Sequence, residues 1–298
     1  MQRILATSIL LFTLLSSNSN AQTQLQYKLK IGDSIVVHQK ANQIITQDID
    51  GSMHEMTNIL ESKFVFVVKT VTDSSYLMDF SFNLFKLQSS SNQYGNIMSV
   101  DTSAPFESDD IEANIFSGLT KTKLKIEILK TGDIISVRGT TRLINNMMKN
   151  SGIEDEFTKQ IMIEEMKKEF GSKSLSESFE QFTYIYPTKK IAIGDSWKNT
   201  YSGELEAKNN WTLKAISPTL DIVGSAHISL KSTEDNYNMV LEGEQKTQIL
   251  ADFKTGVVKT MTVTSKTQGN TVSLQNNSIK IPTTINSITT YKTKLYVQ

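Results

Sequence analysis

The strongest constraint on the fold is a series of strand-like segments separated by short turns. Apolar residues occupy every second position of residues 123–129, and charged residues stand between them. Residues 64–71 are apolar on both faces, and residues 77–87 carry apolar side chains at a spacing near two. These patterns are typical of β-strands, and the Asp-Ser-Ser turn at 73–75 predicts a hairpin. The sequence therefore predicts a sheet built mainly from antiparallel strands.

One region breaks this pattern and predicts helices. Within residues 140–186, apolar side chains recur at helical spacing, and Gly152 and Gly171 mark helix ends. Strand-like sequence rich in Thr, Val and Ile resumes beyond Pro187. The predicted class is therefore α+β, mainly antiparallel β, with two pseudo-repeated curved sheets and a helical segment between the halves.

Short sequences shared by the two halves indicate an internal duplication. Ile-Gly-Asp-Ser at 31–34 recurs at 193–196, an offset of 162 positions. A looser match relates 69–73 to 231–235 at the same offset. Because turns fix the register of the strands around them, shared turns predict that the halves superpose.

A third match places an insertion in the first half. Lys-Thr-Gly at 130–132 recurs at 254–256, an offset of only 124 positions. The first half, residues 22–139, therefore holds an insertion, which we assign to residues 89–118. The second half covers residues 187–298. A repeated unit of this length predicts duplication on the scale of a domain rather than a solenoid.

Residues 1–21 have the features of a cleaved export signal. Residues 4–15 form an apolar run of about 12 residues, shorter than the ~20 that span a bilayer as a helix. The small residues Ser19 and Ala21 predict cleavage before Gln22. No transmembrane segment is predicted in the mature chain, and a chain without cysteine has no lipid-modified cysteine at the cleavage site. We therefore expect a periplasmic or secreted protein that is not a lipoprotein.

Charge and composition argue against several classes of function. The chain has 31 Lys and Arg residues against 31 Asp and Glu, so we expect no broad basic surface and no nucleic-acid partner. Cysteine is absent and the three histidines stand in separate segments, so we predict no metal site. The sequence contains no Gly-rich phosphate loop and no Gly-x-Ser-x-Gly motif. We accordingly predict no catalytic residue and no cofactor.

The helical segment is rich in Met and aromatic residues, which allows two interpretations. These side chains fill the core, or they form an adaptable apolar wall for a ligand, because Met repacks around varied shapes. The candidate ligand-binding residues are Met147, Met148, Phe157, Ile161, Met166, Phe170 and Trp197. The helical stripe from Phe157 to Phe170 is expected to face the sheet rather than solvent.

Four short motifs stand at the cleavage site and at the starts of both halves. They are Asn-Ala-Gln at 20–22, Tyr-x-Leu-x-x-Gly-Asp at 27–33, Tyr-Pro at 186–187 and Ile-x-Ile-Gly-Asp-Ser-Trp at 191–197. Together they resemble an uncharacterised family of exported, β-rich proteins from Bacteroidota. The resemblance implies a periplasmic or cell-envelope protein and supplies no catalytic residue. The expected architecture is also similar to lipoprotein-carrier folds, in which a curved antiparallel sheet wraps helices around an apolar cavity.

The leading hypothesis is non-catalytic binding of an apolar or amphipathic ligand in the cell envelope. The alternative is a structural or protein-interaction module with a filled core and an envelope protein as its partner. A hydrolase without a recognisable motif is the third hypothesis. A large apolar cavity favours the first and a filled core the second, whereas a cleft of polar residues with displaced pKa values favours the third.

Overall fold

The computed structural model describes residues 22–107, 110–233, 236–275 and 279–297, which contain twelve strands and four helices. The predicted export signal lies outside the described residues. The strands are β1 (Ser34–Ile49), β2 (Ser52–Val71), β3 (Ser75–Ser91), β4 (Gly95–Asp101), β5 (Lys123–Leu129), β6 (Ile134–Arg138), β7 (Ser196–Tyr201), β8 (Leu205–Ile216), β9 (Thr219–Thr233), β10 (Tyr237–Asp252), β11 (Val258–Ser273) and β12 (Lys280–Tyr296). The helices are α1 (Ile111–Thr120), α2 (Thr140–Asn150), α3 (Glu156–Phe170) and α4 (Ser172–Thr183). No described helix combines the length and apolar character needed to cross a membrane.

All twelve strands belong to one antiparallel sheet. Its order is β6-β5-β3-β2-β1-β12-β11-β10-β9-β8-β7, and β4 pairs with the end of β3. The predicted class, α+β with mainly antiparallel strands, is confirmed. The two halves do not form separate sheets, because β1 pairs with β12 from Ser34↔Tyr296 to Gln47↔Thr283. This pairing satisfies backbone groups that would otherwise form two exposed edges.

The helices cover part of one face of the sheet and bury an aromatic cluster there. Phe64 and Phe66 on β2 alternate toward this face, as do Phe80 and Phe82 on β3. Phe179 of α4 packs onto them, and its ring centroid lies 4.6 Å from that of Phe80. Aromatic pairs at such distances contribute about 0.5–1.5 kcal/mol beyond the burial of their area. The apolar segment at 64–71 thus forms the end of β2, and its aromatic residues pack against α4.

The predicted insertion contributes to the same layer. It contains β4 and most of α1, which packs on α2 and β3. The Asp110 carboxylate caps α1 by accepting a hydrogen bond from the Ala113 N–H at 2.9 Å. Ala113 and Ile115 of α1, which belong to the insertion, are buried. The helical end of the insertion therefore packs into the core.

Helix α4 lies against both edge strands of the sheet, β6 and β7. The segment that follows it is fastened on both sides. The Trp197 indole of β7 donates to the Ile185 carbonyl at 2.9 Å, and the Tyr186 N–H donates to the Thr131 carbonyl at 3.3 Å. One helix and the segment after it thus contact both ends of the strand order.

The repeated Ile-Gly-Asp-Ser sequences form the same turn in both halves. The Asp33 carboxylate accepts a hydrogen bond from the Lys30 N–H at 2.8 Å. The Asp195 carboxylate accepts from the Ala192 N–H at the same distance. Each aspartate therefore bonds to the backbone three residues earlier, as expected of a turn-forming residue.

The glycines of these turns also match. Gly32 has φ 92° and Gly194 has φ 91°, in the left-handed region that favours glycine. The Gly32 N–H donates to Val68 of β2, and the Gly194 N–H donates to Leu213 of β8. Each turn thus leads into the first strand of a hairpin and is bonded to the second.

Four principal strands separate this turn from the Lys-Thr-Gly turn in each half. They are β1, β2, β3 and β5 in the first half and β7, β8, β9 and β10 in the second. The match between 69–73 and 231–235 is not equivalent, because Lys69 lies near the end of β2 and Lys231 near the end of β9. Superposition of the complete halves stays a prediction.

The buried position of the Trp211 indole on β8 requires a small cross-strand partner, which is Gly224. A Cβ on Gly224 would lie 2.4 Å from the Trp211 ring, so Gly224→Val forces the indole out of its buried position. We expect a loss of about 1–3 kcal/mol in the free energy of unfolding, measured by urea denaturation. Ser225→Val, at the neighbouring exposed position, is the control and should lose far less. Equal losses would contradict this packing.

Candidate functional site

Four of the predicted ligand-binding residues are buried in the main core. Met147 and Met148 lie on α2, Met166 on α3 and Trp197 on β7, each at most 8% exposed. All four belong to one continuous cluster of packed apolar residues. The Trp197 indole is held by the Ile185 carbonyl, as described above. In the described part of the chain these residues therefore pack as core.

The expectation for the stripe on α3 is wrong at two positions. Phe157 is 75% exposed and Ile161 is 50% exposed, whereas Phe170 is partly buried and contacts Phe116. The physical reason is that α3 packs on α2 and α4 rather than on the sheet. Only Met166 of this helix is buried. A helix one layer removed from the sheet cannot present a full apolar stripe to it.

The described core beneath α4 leaves little space next to Phe182. A void there measures about 20 Å³, and its lining includes Tyr27, Phe66, Met78 and Phe182. Such a space holds about one water molecule at most. Ligand pockets have volumes of about 300–1,000 Å³. The apolar cavity expected beside the helical segment is therefore not at this place.

A larger cavity lies farther along the same face of the sheet, toward the end that carries the β1–β2 turn. This distal cavity has a volume of about 510 Å³. Ala41 stands four residues beyond buried Val37 on β1, so both side chains are on one face. Phe85 of β3 stacks on Phe116 of α1 at 5.0 Å between the helical layer and the cavity. The lining residues are Ala41, Asn42, Gln43, Asn58, Leu60, Leu87, Ser89, Ile97, Met98, Ser287 and Thr289.

An apolar row crosses the strands at this cavity. Ala41, Leu60 and Leu87 are successive cross-strand partners on β1, β2 and β3. Val100 of β4 extends the row, because it is the partner of Leu87. Cross-strand partners share a face, so the row forms a continuous apolar strip in the cavity wall. We call Ala41, Leu60 and Leu87 the apolar row.

A polar row lies next to it, two residues nearer the distal end. Gln43, Asn58 and Ser89 are cross-strand partners on the same three strands, and we call them the polar row. The Ser89 hydroxyl donates to Asn58 Oδ1 at 2.7 Å, and Asn58 Nδ2 donates to Gln43 Oε1 at 3.0 Å. Gln43 Nε2 has no acceptor among the described residues. The row therefore presents amide N–H groups beside an apolar strip.

The charged residues of these strands project from the opposite face and pair there. His38 Nε2 lies 2.6 Å from Glu61 Oε1, and Lys40 lies 3.7 Å from the same carboxylate. Lys86 lies 2.8 Å from Asp101. The hydrogen bond with His38 lowers the pKa of Glu61, and that with Lys86 lowers the pKa of Asp101 to about 2. Among the described residues that line the distal cavity, none is charged.

A second cavity of about 420 Å³, the acidic notch, lies between α4 and β6. Burial raises the pKa of Glu180 to about 7, and the nearby carboxylates of Asp133 and Glu177 add to this shift. A carboxyl group that titrates near neutrality in a cleft is a feature of catalytic acids and bases. The lining residues are Ile135, Ser136, Val137, Ser172, Lys173, Ser176, Glu177, Glu180 and Ser202.

The acidic notch lacks the contact that activates a serine nucleophile. Within the described part of the chain, none of its serines is hydrogen-bonded to a carboxylate or a histidine. Nor do three His, Asp or Glu side chains come together there as ligands for a metal ion. The notch therefore presents a carboxyl group with a raised pKa beside two further carboxylates, and none of its described serines contacts a base.

A family model described as a family of unknown function, DUF6263, matches residues 73–258, which is more than half of the chain. The chain belongs to this family. None of the curated proteins matches it. Family membership leaves the source open, so the expected Bacteroidota origin stays a prediction.

Among solved structures, lipovitellin, in a study of its lipid–protein interactions, aligns with a TM-score of 0.53 and 8% identity. The alignment covers 91% of this chain and 26% of the lipovitellin chain, so this chain spans about a quarter of that protein. An outer membrane channel from Pseudomonas putida F1 aligns with a TM-score of 0.26 and 8% identity, over 90% of this chain and 98% of the channel. The last score is too low to bear on the fold, and the lipovitellin likeness concerns the fold alone.

The raised pKa of Glu180 predicts a pH dependence of stability. Between its ordinary pKa of 4.5 and about 7, the folded state binds a proton that the unfolded state releases. The free energy of unfolding should therefore fall as pH rises through this window, and the melting temperature with it. In Glu180→Gln this fall should be reduced, whereas Glu206→Gln, at an exposed ion pair with Lys231, should keep it. Melting curves of both variants from pH 4.5 to 7.5 provide the measurement, and identical profiles would contradict it.

Proposed function

We propose that this protein is an exported, non-catalytic binding protein whose apolar or amphipathic ligand lies in the distal cavity. The observation that supports it best is a neutral cavity of about 510 Å³ with an apolar strip along its wall. This volume is in the range of small-molecule pockets, which are mostly apolar with a few fixed polar groups. The cavity replaces the helical residues as the proposed binding site.

The two rows suit an amphipathic molecule. The apolar row gives a ligand body contact with Leu60 and Leu87, and the polar row lies two residues farther along the same strands. Burial of apolar ligand area contributes about 25 cal/mol per Å² before the costs of binding are subtracted. The fold likeness to part of lipovitellin, in a structure that concerns lipid–protein interactions, is compatible with this proposal.

A structural or protein-interaction module is the second candidate. The filled core under the helices supports it, because the void there is only about 20 Å³. In that case the distal cavity is a surface depression without a small-molecule ligand. Binding of a neutral apolar probe separates the two candidates.

Export is part of the proposal and has its own test. The apolar run at 4–15 and the small residues before Gln22 motivate it. Protein purified from the cell envelope of its host should begin at Gln22 on N-terminal sequencing. Cytoplasmic protein that retains Met1 would contradict export.

Filling the cavity should abolish ligand binding without unfolding the protein. Leu87 is only partly buried, so Leu87→Trp can occupy the cavity while the helical core stays intact. We expect at least tenfold weaker binding of the neutral fluorescent probe N-phenyl-1-naphthylamine, which corresponds to about 1.4 kcal/mol. Titration of the probe at constant protein concentration provides the measurement.

Phe157→Ser is the matched control for that experiment. Phe157 is a predicted site residue that the structure leaves exposed on α3, so its variant should bind the probe like the unmodified protein. If Phe157→Ser loses probe binding and Leu87→Trp keeps it, the binding site is on the helices and not in the distal cavity. A native protein that binds no probe at all would favour the interaction module.

A further inference from the structure

We propose that the ligand of the distal cavity is an uncharged amphipathic molecule, with an alkyl body and a small neutral head made of hydroxyl or ester groups. Long-chain alcohols and monoacylglycerols have this chemistry. The inference rests on the proposed function and specifies its ligand. It excludes fatty acid anions and phospholipids as preferred ligands.

The cavity wall offers no counter-charge to an anion among its described residues. The lining offers amides, hydroxyls and apolar side chains, and the described residues contribute no Lys, Arg, His, Asp or Glu to it. A carboxylate or phosphate that enters such a wall loses hydration and gains no opposite charge in return. A hydroxyl or an ester loses much less, because its hydrogen bonds can be replaced by neutral groups.

The charged side chains of these strands form ion pairs on the face opposite the cavity. Glu61 is engaged by His38 and Lys40, and Lys86 by Asp101. These residues alternate with the two rows along the same strands, so they stand on the opposite face of the sheet. The sheet separates these ion pairs from the cavity, so none of these side chains offers a counter-charge to a ligand inside it.

The hydrogen bonds of the polar row run in one direction and end, among the described residues, at a free amide donor. Ser89 donates to Asn58 Oδ1, and Asn58 donates to Gln43 Oε1, so the acceptor oxygens of both amides are engaged. Amide hydrogens remain on Gln43 Nε2, which has no acceptor within the described part of the chain. An oxygen atom of a ligand hydroxyl or ester accepts from such a donor.

His54 lies near the distal cavity but is not part of its wall. It lies on the same face of β2, four residues from Asn58, but it does not line the cavity. Its Nε2 is 2.8 Å from the Ser91 hydroxyl, and its ring packs edge-on against Tyr94. The histidine is therefore occupied at the distal end of the sheet, beyond the polar row.

The test compares ligands of one chain length on the full mature chain. 1-Dodecanol, monolaurin and laurate compete for the cavity against N-phenyl-1-naphthylamine at pH 8, where laurate is ionised. We expect the two neutral ligands to bind at least tenfold more tightly than laurate. Laurate binding should strengthen as pH falls and its carboxylate takes up a proton, whereas dodecanol binding should not change.

A cation placed in the polar row should reverse the preference. Ser89→Lys puts an ammonium group in the cavity and should make laurate the tighter ligand. Gln88→Lys adds the same charge at the neighbouring exposed position, on the opposite face, and should leave the preference unchanged. The pH series on the native protein decides the question even where Ser89→Lys fails to fold.

The outcomes distinguish this inference from the proposed function. If laurate at pH 8 binds as tightly as dodecanol, the cavity binds apolar ligands without the predicted selectivity, and this inference is overturned. If none of the three ligands displaces the probe and the probe itself does not bind, the proposed function fails as well. Tighter binding of the neutral ligands, reversed only in Ser89→Lys, supports the inference.

Discussion

The pairing of β1 with β12 is the interaction on which the rest of the structure depends. It joins a strand from the start of the chain to the last strand, with a continuous register from Ser34↔Tyr296 to Gln47↔Thr283. Without it, two meanders would each expose a long unpaired edge. With it, one face runs without interruption from β6 to β7. The helical core and the distal cavity are two parts of that single face.

The two parts differ because the helices are shorter than the strands. β2 has 20 residues, and its buried part, around Phe64 and Phe66, lies under α4. Farther along the same face, the side chains are Leu60 and Asn58, and none of the four described helices packs on this part of β2. The strand therefore changes from aromatic to mixed side chains where the helical layer ends. The cavity lies beyond this boundary, and the stack of Phe85 on Phe116 belongs to its helical side.

Much of the fold could be predicted from the sequence, because alternation and turns are local signals. The hairpin of β2 and β3, the helical segment and the Gly-Asp turns follow from residues close together in the chain. The single continuous sheet could not be predicted in this way. The pairing of β1 with β12 joins residues more than 200 positions apart, and no short motif encodes it.

The candidate site could not be predicted from the sequence for a related reason. Helical spacing shows that Phe157 and Ile161 share a face of α3, but it does not show what that face meets. The rows that line the distal cavity exist only once the register of β1, β2 and β3 is known. The one local signal was a set of small and uncharged residues, from Ala41 to Gln43, inside a strand too long for the helices to cover.

The central claim is that one face of the sheet is filled under the helices and open to a neutral ligand beyond them. Anomalous diffraction from crystals soaked in 11-bromo-1-undecanol tests it most directly, because the bromine atom marks where the alkyl chain lies. The account predicts a bromine peak in contact with Leu60 and Leu87, and no peak between Phe80 and Phe179 beneath α4. A peak under the helices, or an empty distal cavity at saturating ligand, would contradict it.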